Sequence, residues 1–179
     1  MIRPSNETEK EAPIELVEYD PDWPDRFASE KVSLEAVLRP WLAGPIEHIG
    51  STAIPGMPAK PVIDIMAPVE NIEASRPAIS AVARLNYVYF PYRAEIMHWF
   101  CKPSAAFRTH HLHLVPLGSQ RWNDCLAFRN AIRSNVDWAN EYRALKRRLA
   151  AEFKFDREAY TEGKSPFVQR VLSAGARVP

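Results

Sequence analysis

The sequence predicts an α+β domain of α/β-like character, with helices before and after a group of strands and a helical C-terminal third. Five short segments within residues 45–116 have the apolar or alternating character of strands. Longer segments before and after them carry apolar residues at helical spacing. With 179 residues and 46% hydrophobic content, the chain is long enough for one well-buried core and little more.

The predicted elements follow a polar lead. Residues 1–13 are polar and charged and predict a disordered segment ahead of a single domain at residues 14–179. Asp22 is expected to cap the first helix, with Pro24 in its first turn and Pro40 at its end. Strands are predicted at residues 45–51, 61–69, 87–90, 96–101 and 109–116. Further helices are predicted at residues 72–85, 121–134, 137–153 and 165–174.

Charge and composition narrow the functional classes. The formal net charge is +1, so we expect no bulk attraction to nucleic acid or to an anionic membrane. No apolar run reaches the length of a membrane span, and residues 1–13 lack the apolar core of a signal peptide. Cys101 and Cys125 follow no disulfide or metal-binding pattern. The reducing cytoplasm is the expected location, and the oligomeric state is left open.

The turn Gly50-Ser51-Thr52 follows the first predicted strand. Glycine lets a phosphate approach backbone N–H groups, and the two hydroxyls add hydrogen-bond donors. Lys60 adds a cation where the chain re-enters the sheet. We therefore predict that these four residues bind phosphate. The competing interpretation is a surface loop that is merely stiffened by its prolines.

Asp64 is the one carboxylate of the predicted strand at residues 61–69. An unpaired carboxylate among apolar neighbours is costly to bury, so a metal ion or a basic partner is expected. Two-metal phosphoryl transfer uses carboxylates two residues apart, because such positions share a strand face. Both of those positions are apolar here, Val62 and Met66. The strand alone therefore does not supply a standard two-metal site.

Three histidines lie in the last predicted strand, and His111 and His113 share one of its faces. Two imidazoles at this spacing can bind a transition metal or phosphate oxygens. We expect Asp64, His111 and His113 on one face of one sheet, as a catalytic group that holds a divalent cation. One carboxylate with imidazoles suits Mn²⁺ or Zn²⁺ better than Mg²⁺. The alternative is a hydrogen-bonded pair of partly buried histidines.

Basic residues of the C-terminal third are candidates for further phosphate contacts. Arg129 and Lys146 lie on two predicted helices, and Lys164 precedes the last one. Guanidinium and ammonium groups there could form a rim that holds phosphates. A solvated helix face is the alternative for Arg129 and Lys146. Capping of the last helix by Ser165 accounts for the Lys164 segment without a ligand.

Six motifs together resemble the GrpB family, which is catalogued as uncharacterised. They are VEYDPDWP at residues 17–24, EHIGSTAIPG at 47–56, KPVIDI at 60–65, HLH at 111–113, AFR at 127–129 and YTEGKS at 160–165. The resemblance extends over about residues 14–174. It implies a mixed sheet of the nucleotidyltransferase superfamily. Similar domains are fused to dephospho-CoA kinase in some bacteria, which implies a link to nucleotide or coenzyme A metabolism.

These observations leave three functional hypotheses. The leading one is a protein that binds a nucleotide or another small phosphorylated ligand, with divalent-metal-dependent nucleotidyl transfer to an unknown acceptor as its candidate reaction. Because the second acid is absent, we expect such transfer to be slow or absent. The second hypothesis is a non-catalytic sensing or accessory module, with a link to coenzyme A metabolism. The third is a metal-dependent hydrolase that uses the same residues.

Overall fold

The computed structural model describes residues 13–175, so the predicted disordered lead lies almost wholly outside the described residues. The helices and strands are α1 Trp23–Leu38, β1 Glu47–Ile49, β2 Ile63–Val69, α2 Ala78–Ala83, β3 Val88–Phe90, β4 His98–Pro103, β5 Arg108–Pro116, α3 Gln120–Ser134, α4 Val136–Glu152, α5 Arg157–Glu162 and α6 Ser165–Gly175. A 3-10 turn, Ser51–Ala53, follows β1. The predicted α+β class with a helical C-terminal third is confirmed.

The five strands form one mixed sheet in the order β1-β2-β5-β4-β3. The central pair, β2 and β5, is parallel, and the other neighbours are antiparallel. Asp64 pairs with His111 and Met66 pairs with His113 in the parallel register. Side chains paired in register point to the same face of a sheet. The prediction that Asp64, His111 and His113 share one face of one sheet is therefore confirmed.

The start of α1 differs from the prediction in one detail. Pro24 lies in its first turn as expected, but the side chain of Asp22 makes no capping hydrogen bond. Asp22 has helical dihedral angles, whereas a capping residue normally has extended ones. Instead, Asp20 Oδ1 accepts a hydrogen bond from the Asp22 N–H at 2.9 Å. The predicted capping role of Asp22 is therefore wrong.

Two elements are shorter than predicted, and one short helix was not predicted. The helix expected at residues 72–85 is shortened to α2, because Pro77 lacks an N–H and residues 72–77 form turns instead. The strand expected at residues 45–51 is shortened to β1, since Ser51 begins the 3-10 turn. Helix α5 was not predicted. Its six residues are too few to show a helical period, although Asp156 caps it through the Ala159 N–H at 2.9 Å.

The two faces of the sheet are covered differently. Helices α1 and α2 pack on one face, over a cluster that includes Ile65, Phe100 and Leu112. On the other face, Trp122 of α3 packs over Met66 and its apolar neighbours Ile49, Met97 and Val115. That second cover stops short of Asp64 and His111, which leaves part of the sheet open. Within residues 13–175, every helix is too short or too polar to span a membrane.

Candidate functional site

The uncovered part of the sheet forms the floor of a cleft of about 1060 Å³. Its walls come from the 3-10 turn, the segment before β4, and residues 155–165 around α5. Most of the sequence-predicted site residues line it: Ser51, Thr52, Lys60, Asp64, His111, His113, Lys146 and Lys164. Gly50 and Arg129 are not among the lining residues. Chain segments that are distant in sequence therefore meet in one place.

Asp64 and His111 form a hydrogen-bonded pair on the floor of the cleft. His111 Nδ1 lies 2.9 Å from Asp64 Oδ1. Desolvation alone would raise the pKa of Asp64, but the hydrogen bond from His111 and the nearby His113 and Lys60 lower it to about 2. Asp64 is thus ionised at neutral pH and can only accept hydrogen bonds. His111 must therefore donate from Nδ1.

Gly50 explains how the Asp64 carboxylate fits against the turn. The residue has a φ of 70°, in the left-handed region that favours glycine. A Cβ at this position would lie 2.4 Å from Asp64 Oδ2, far closer than atoms tolerate. The glycine was predicted to make room for a phosphate. In the structure, the space that it leaves is taken by the carboxylate of Asp64.

His113 has a different partner. Arg121 Nη2, from the first turn of α3, lies 3.2 Å from His113 Nδ1. Arginine has no acceptor, so His113 Nδ1 must accept, and the hydrogen of its neutral ring is on Nε2. Burial, followed by the positive charge of Arg121, lowers the pKa of His113 to about 3. Sequence reasoning missed Arg121, which sits only eight residues after His113.

The predicted divalent-cation site of Asp64, His111 and His113 does not fit this geometry. Asp64 and His111 bind each other instead of facing a common ion, and His113 Nδ1 is occupied by a cationic side chain. Of the four ring nitrogens of His111 and His113, only His111 Nε2 keeps a free lone pair, and it is buried without a hydrogen-bond partner in the described part of the chain. Within residues 13–175, no three His, Cys, Asp or Glu side chains are grouped to hold a metal ion.

Three lysines meet in the cleft, and two of them lie beside the Tyr160 ring. The ammonium groups of Lys60 and Lys164 lie 5.5 and 4.3 Å from the centre of that ring. Lys146 is 2% exposed and donates a hydrogen bond to the Pro58 carbonyl. Burial, with help from the neighbouring lysines, lowers the pKa of Lys146 to about 7 and that of Lys164 to about 8. The cleft therefore concentrates positive charge that its own carboxylates do not fully offset.

The hydroxyls of the predicted phosphate turn are both engaged within the protein. Thr52 Oγ1 lies 2.9 Å from His48 Nε2, and Thr52 is 1% exposed. Ser51 hydrogen-bonds to Tyr142, whose pKa is raised to about 12, chiefly by burial. Ser51 is the more accessible of the two, so it is the better placed to contact a ligand.

Arg129 and Arg133 hold the turn from the side of α3. Arg129 Nη1 donates to Glu47 Oε2 at 2.7 Å and to the His48 carbonyl at 2.8 Å. Arg133 donates through Nε to the Ala53 carbonyl at 2.9 Å. These bonds fix the backbone on both sides of Gly50. The structure thus gives Arg129 a role in positioning the turn, away from the cleft interior where a phosphate contact was expected.

An aromatic wall on the β4 side completes the cleft. The rings of Tyr92 and Trp99 line it, with their centres 6.5 Å apart. The Arg108 guanidinium lies 5.4 Å from the Trp99 ring centre, and the His111 ring lies 5.2 Å from it. Sequence reasoning identified the aromatic strands but did not assign them to the site. Their alternating aromatic residues were the available signal.

Comparison with known proteins places the chain among uncharacterised relatives. A UPF0157 protein of Pseudomonas aeruginosa is 37% identical over 165 residues, which cover 89% of this chain and 66% of that protein. A UPF0157 protein of Bacillus subtilis is 31% identical over 156 residues, which cover 87% of this chain and 45% of that protein. The chain therefore spans less than two thirds of the length of these two relatives.

A solved structure shares the fold. The crystal structure of the conserved protein GrpB from Enterococcus faecalis has a TM-score of 0.81 and 31% sequence identity, covering 90% of this chain and 96% of that one. A shorter match joins the chain to a dephospho-CoA kinase of Mycolicibacterium paratuberculosis, 37% identical over 79 residues, which cover 42% of this chain and 19% of the kinase. The sequence model of the GrpB protein family matches residues 13–174. The chain belongs to the GrpB protein family.

Proposed function

We propose that the chain binds a nucleotide or a related small phosphorylated ligand in the cleft. The convergence of Lys60, Lys146 and Lys164 in the cleft carries this proposal. Ammonium groups held together away from bulk water repel one another, and an anion between them would relieve that repulsion. Phosphate groups supply such an anion. The lysines come from three separate segments, so chance clustering on one helix face does not account for them.

The aromatic wall favours an organic ligand over a bare phosphate. Tyr92 and Trp99 lie on the β4 side, across the floor from the lysine segments. A planar base could stack on these rings while the phosphates contact the lysines and Ser51. The cleft volume of about 1060 Å³ is large enough for a ligand of nucleotide size.

Both described cysteines are free, which supports a cytoplasmic location for this binding.

Nucleotidyl transfer, if it occurs, would be slow. A second catalytic acid would replace Val62 or Met66, which are both apolar, and Met66 is fully buried in the apolar cluster beneath α3. Asp64 is engaged by His111. A single paired carboxylate is a poor substitute for the acid pair of two-metal chemistry. The metal-dependent hydrolase hypothesis has the same weakness.

An accessory role linked to coenzyme A metabolism is the second candidate. The similarity to part of a dephospho-CoA kinase supports it. Dephospho-coenzyme A is itself a phosphorylated nucleotide derivative, so its recognition would use the same lysines and aromatic wall. An accessory role predicts binding without turnover, and a higher affinity for coenzyme A derivatives than for simple nucleotides.

Isothermal titration calorimetry tests the proposal with ATP, UTP, dephospho-coenzyme A and inorganic phosphate, with and without Mg²⁺ or Mn²⁺. We expect one organic phosphate to bind, and Lys164→Met to weaken it at least about tenfold, because a charged hydrogen bond contributes about 1.5–3 kcal/mol. Lys31→Met is the matched control, since Lys31 lies on α1 beside Glu35 and does not line the cleft. Equal losses in both variants, or no binding, would contradict the proposal. Product analysis then separates an enzyme from an accessory module.

A further inference from the structure

The two imidazoles on the cleft floor have opposite hydrogen-bonding partners. His111 and His113 are two residues apart on one face of β5. The partner of His111 Nδ1 is a carboxylate oxygen, which only accepts. The partner of His113 Nδ1 is a guanidinium nitrogen, which only donates. Neither partner can exchange roles, so each ring is fixed in one tautomer.

The consequence is a donor beside an acceptor. In neutral His111 the hydrogen is on Nδ1, so Nε2 carries a lone pair. In neutral His113 the hydrogen is on Nε2, which is a donor. His111 Nε2 is also buried with no hydrogen-bond partner among residues 13–175. Leaving such an atom unsatisfied costs about 1–3 kcal/mol, and a ligand group that donates to it would recover that energy.

We propose that His111 and His113 recognise a hydroxyl group of the phosphorylated ligand, with His111 Nε2 accepting its hydrogen and His113 Nε2 donating to its oxygen. This inference rests on the proposed function and narrows its ligand class to hydroxyl-bearing organic phosphates, such as ribonucleotides or sugar phosphates. An ionised phosphate oxygen only accepts, so the lone pair of His111 would repel it. A metal ion needs lone pairs from its ligands, and His113 offers none. A hydroxyl both donates and accepts, and so satisfies both rings.

Asp64 and Arg121 are positioning residues in this arrangement, because each fixes a ring without touching the ligand. Asp64→Asn gives the clearest test of that role. An asparagine can offer His111 Nδ1 either its acceptor oxygen or its donor amide, so the substitution releases His111 from the single tautomer that the carboxylate imposes. The substitution keeps the size of the side chain beside Gly50. It should leave the tautomer of His113 unchanged.

Nitrogen-15 NMR of histidine-labelled protein at about pH 8 reads the tautomers directly. We expect the Nδ1–H form for His111 and the Nε2–H form for His113, and we expect Asp64→Asn to release only His111 from its single form. The same tautomer in both rings of the wild-type protein would overturn the inference. This measurement needs no ligand and no variant of the histidines themselves.

Calorimetry with ATP and 2′,3′-dideoxy-ATP tests the hydroxyl. We expect the dideoxy compound to bind the wild-type protein about tenfold more weakly, matching one hydrogen bond to a buried acceptor, and His111→Phe to remove the difference. His110→Phe is the matched control, because His110 lies on the opposite face of β5 and contacts Thr109. Equal binding of both compounds to the wild-type protein overturns the hydroxyl inference but leaves the proposed function standing. Binding of neither compound, together with no binding of UTP or dephospho-coenzyme A, overturns the proposed function, and the inference with it.

Discussion

Successive side chains of β2 and β5 point to opposite faces of the sheet, and the two faces have different environments. One face, with Ile65 and Leu112, is fully buried under α1 and α2. The other face changes character within a single step along the strand. Met66 lies under Trp122, whereas Asp64, two residues earlier, lines the open cleft. The core therefore ends, and the cleft begins, where α3 stops packing on the sheet, between Met66 and Asp64.

That difference limits where a second acid could lie. Of the two positions that share a strand face with Asp64 and lie two residues from it, Val62 lines the cleft, whereas Met66 belongs to the apolar core. The cleft compensates with charge from the opposite wall, where Lys146 and Lys164 approach the floor. A site of this kind is suited to holding an anion through the protein's own cations. It is poorly suited to holding one through bound metal ions.

We expect Met66→Asp to reduce stability more than any other substitution proposed below. It buries a carboxylate in an apolar cluster, so we expect the free energy of unfolding to fall by about 3–5 kcal/mol. Met66→Leu, the size-matched control, should cost less than about 1.5 kcal/mol. Urea denaturation measures both. Equal stability of the two variants would mean that position 66 belongs to the cleft.

Gly50→Ala probes the contact between the turn and the cleft carboxylate. The added Cβ meets Asp64 Oδ2 and also strains the left-handed backbone, so we expect a cost of about 2–3 kcal/mol. Gly56→Ala is a matched control, because Gly56 has a φ of 72° but nothing within 4 Å of a Cβ. It should cost only about 1 kcal/mol. Similar losses of unfolding free energy in both variants, measured by urea denaturation, would show that the contact with Asp64 has no special role.

Lys146→Met tests the buried cation on the cleft side. The pKa of Lys146 is about 7 when folded and near its ordinary 10.5 when unfolded, so the unfolded chain binds more protons between these values. The free energy of unfolding contributed by Lys146 must then rise with pH across this window and level off below about pH 7. We expect wild-type protein to gain about 1–2 kcal/mol relative to Lys146→Met between pH 7 and 9. If the difference in unfolding free energy between the two proteins stayed constant with pH, Lys146 would have kept its charge.

The smallest effect is expected from divalent metal ions. Asp64 is a single carboxylate already bonded to His111, so Mg²⁺ should bind weakly, and Asp64→Asn should remove what binding exists. Calorimetric titration with Mg²⁺, Mn²⁺ and Zn²⁺ measures this. Tight Mg²⁺ binding that survives Asp64→Asn would contradict the present description of the cleft floor.

Much of the contrast between the two faces of the sheet could be predicted from the sequence, because the alternation of side chains along a strand is a local property. The shared face of Asp64, His111 and His113 follows from their spacing once β2 and β5 are neighbours. The five strands and the longer helices were visible as local sequence patterns, and the family resemblance implied the mixed sheet. Family motifs further marked the turn, the acid and the lysine segment that meet in the cleft.

What sequence reasoning missed depends on contacts between distant segments. It assigned Arg129 to the ligand, whereas that side chain binds Glu47 and the backbone of the turn. It did not foresee Arg121 beside His113, which removes His113 from metal binding. The pairing of Asp64 with His111 likewise depends on strand order, which no local pattern specifies. Short α5 carries Tyr160 into the cleft, and it gave no periodic signal.

Proton uptake on nucleotide binding is the most direct test of the central claim, that the cleft lysines hold the ligand's phosphates. At pH 8 Lys164 and Lys146 are partly neutral, since their pKa values are about 8 and 7. A phosphate beside them raises those values, so ATP binding must draw protons from solution. Calorimetry in two buffers of different ionisation enthalpy measures this uptake. We predict a net uptake in the wild-type protein that decreases in Lys164→Met and is retained in Lys31→Met. ATP binding with no proton uptake at pH 8 would contradict the account.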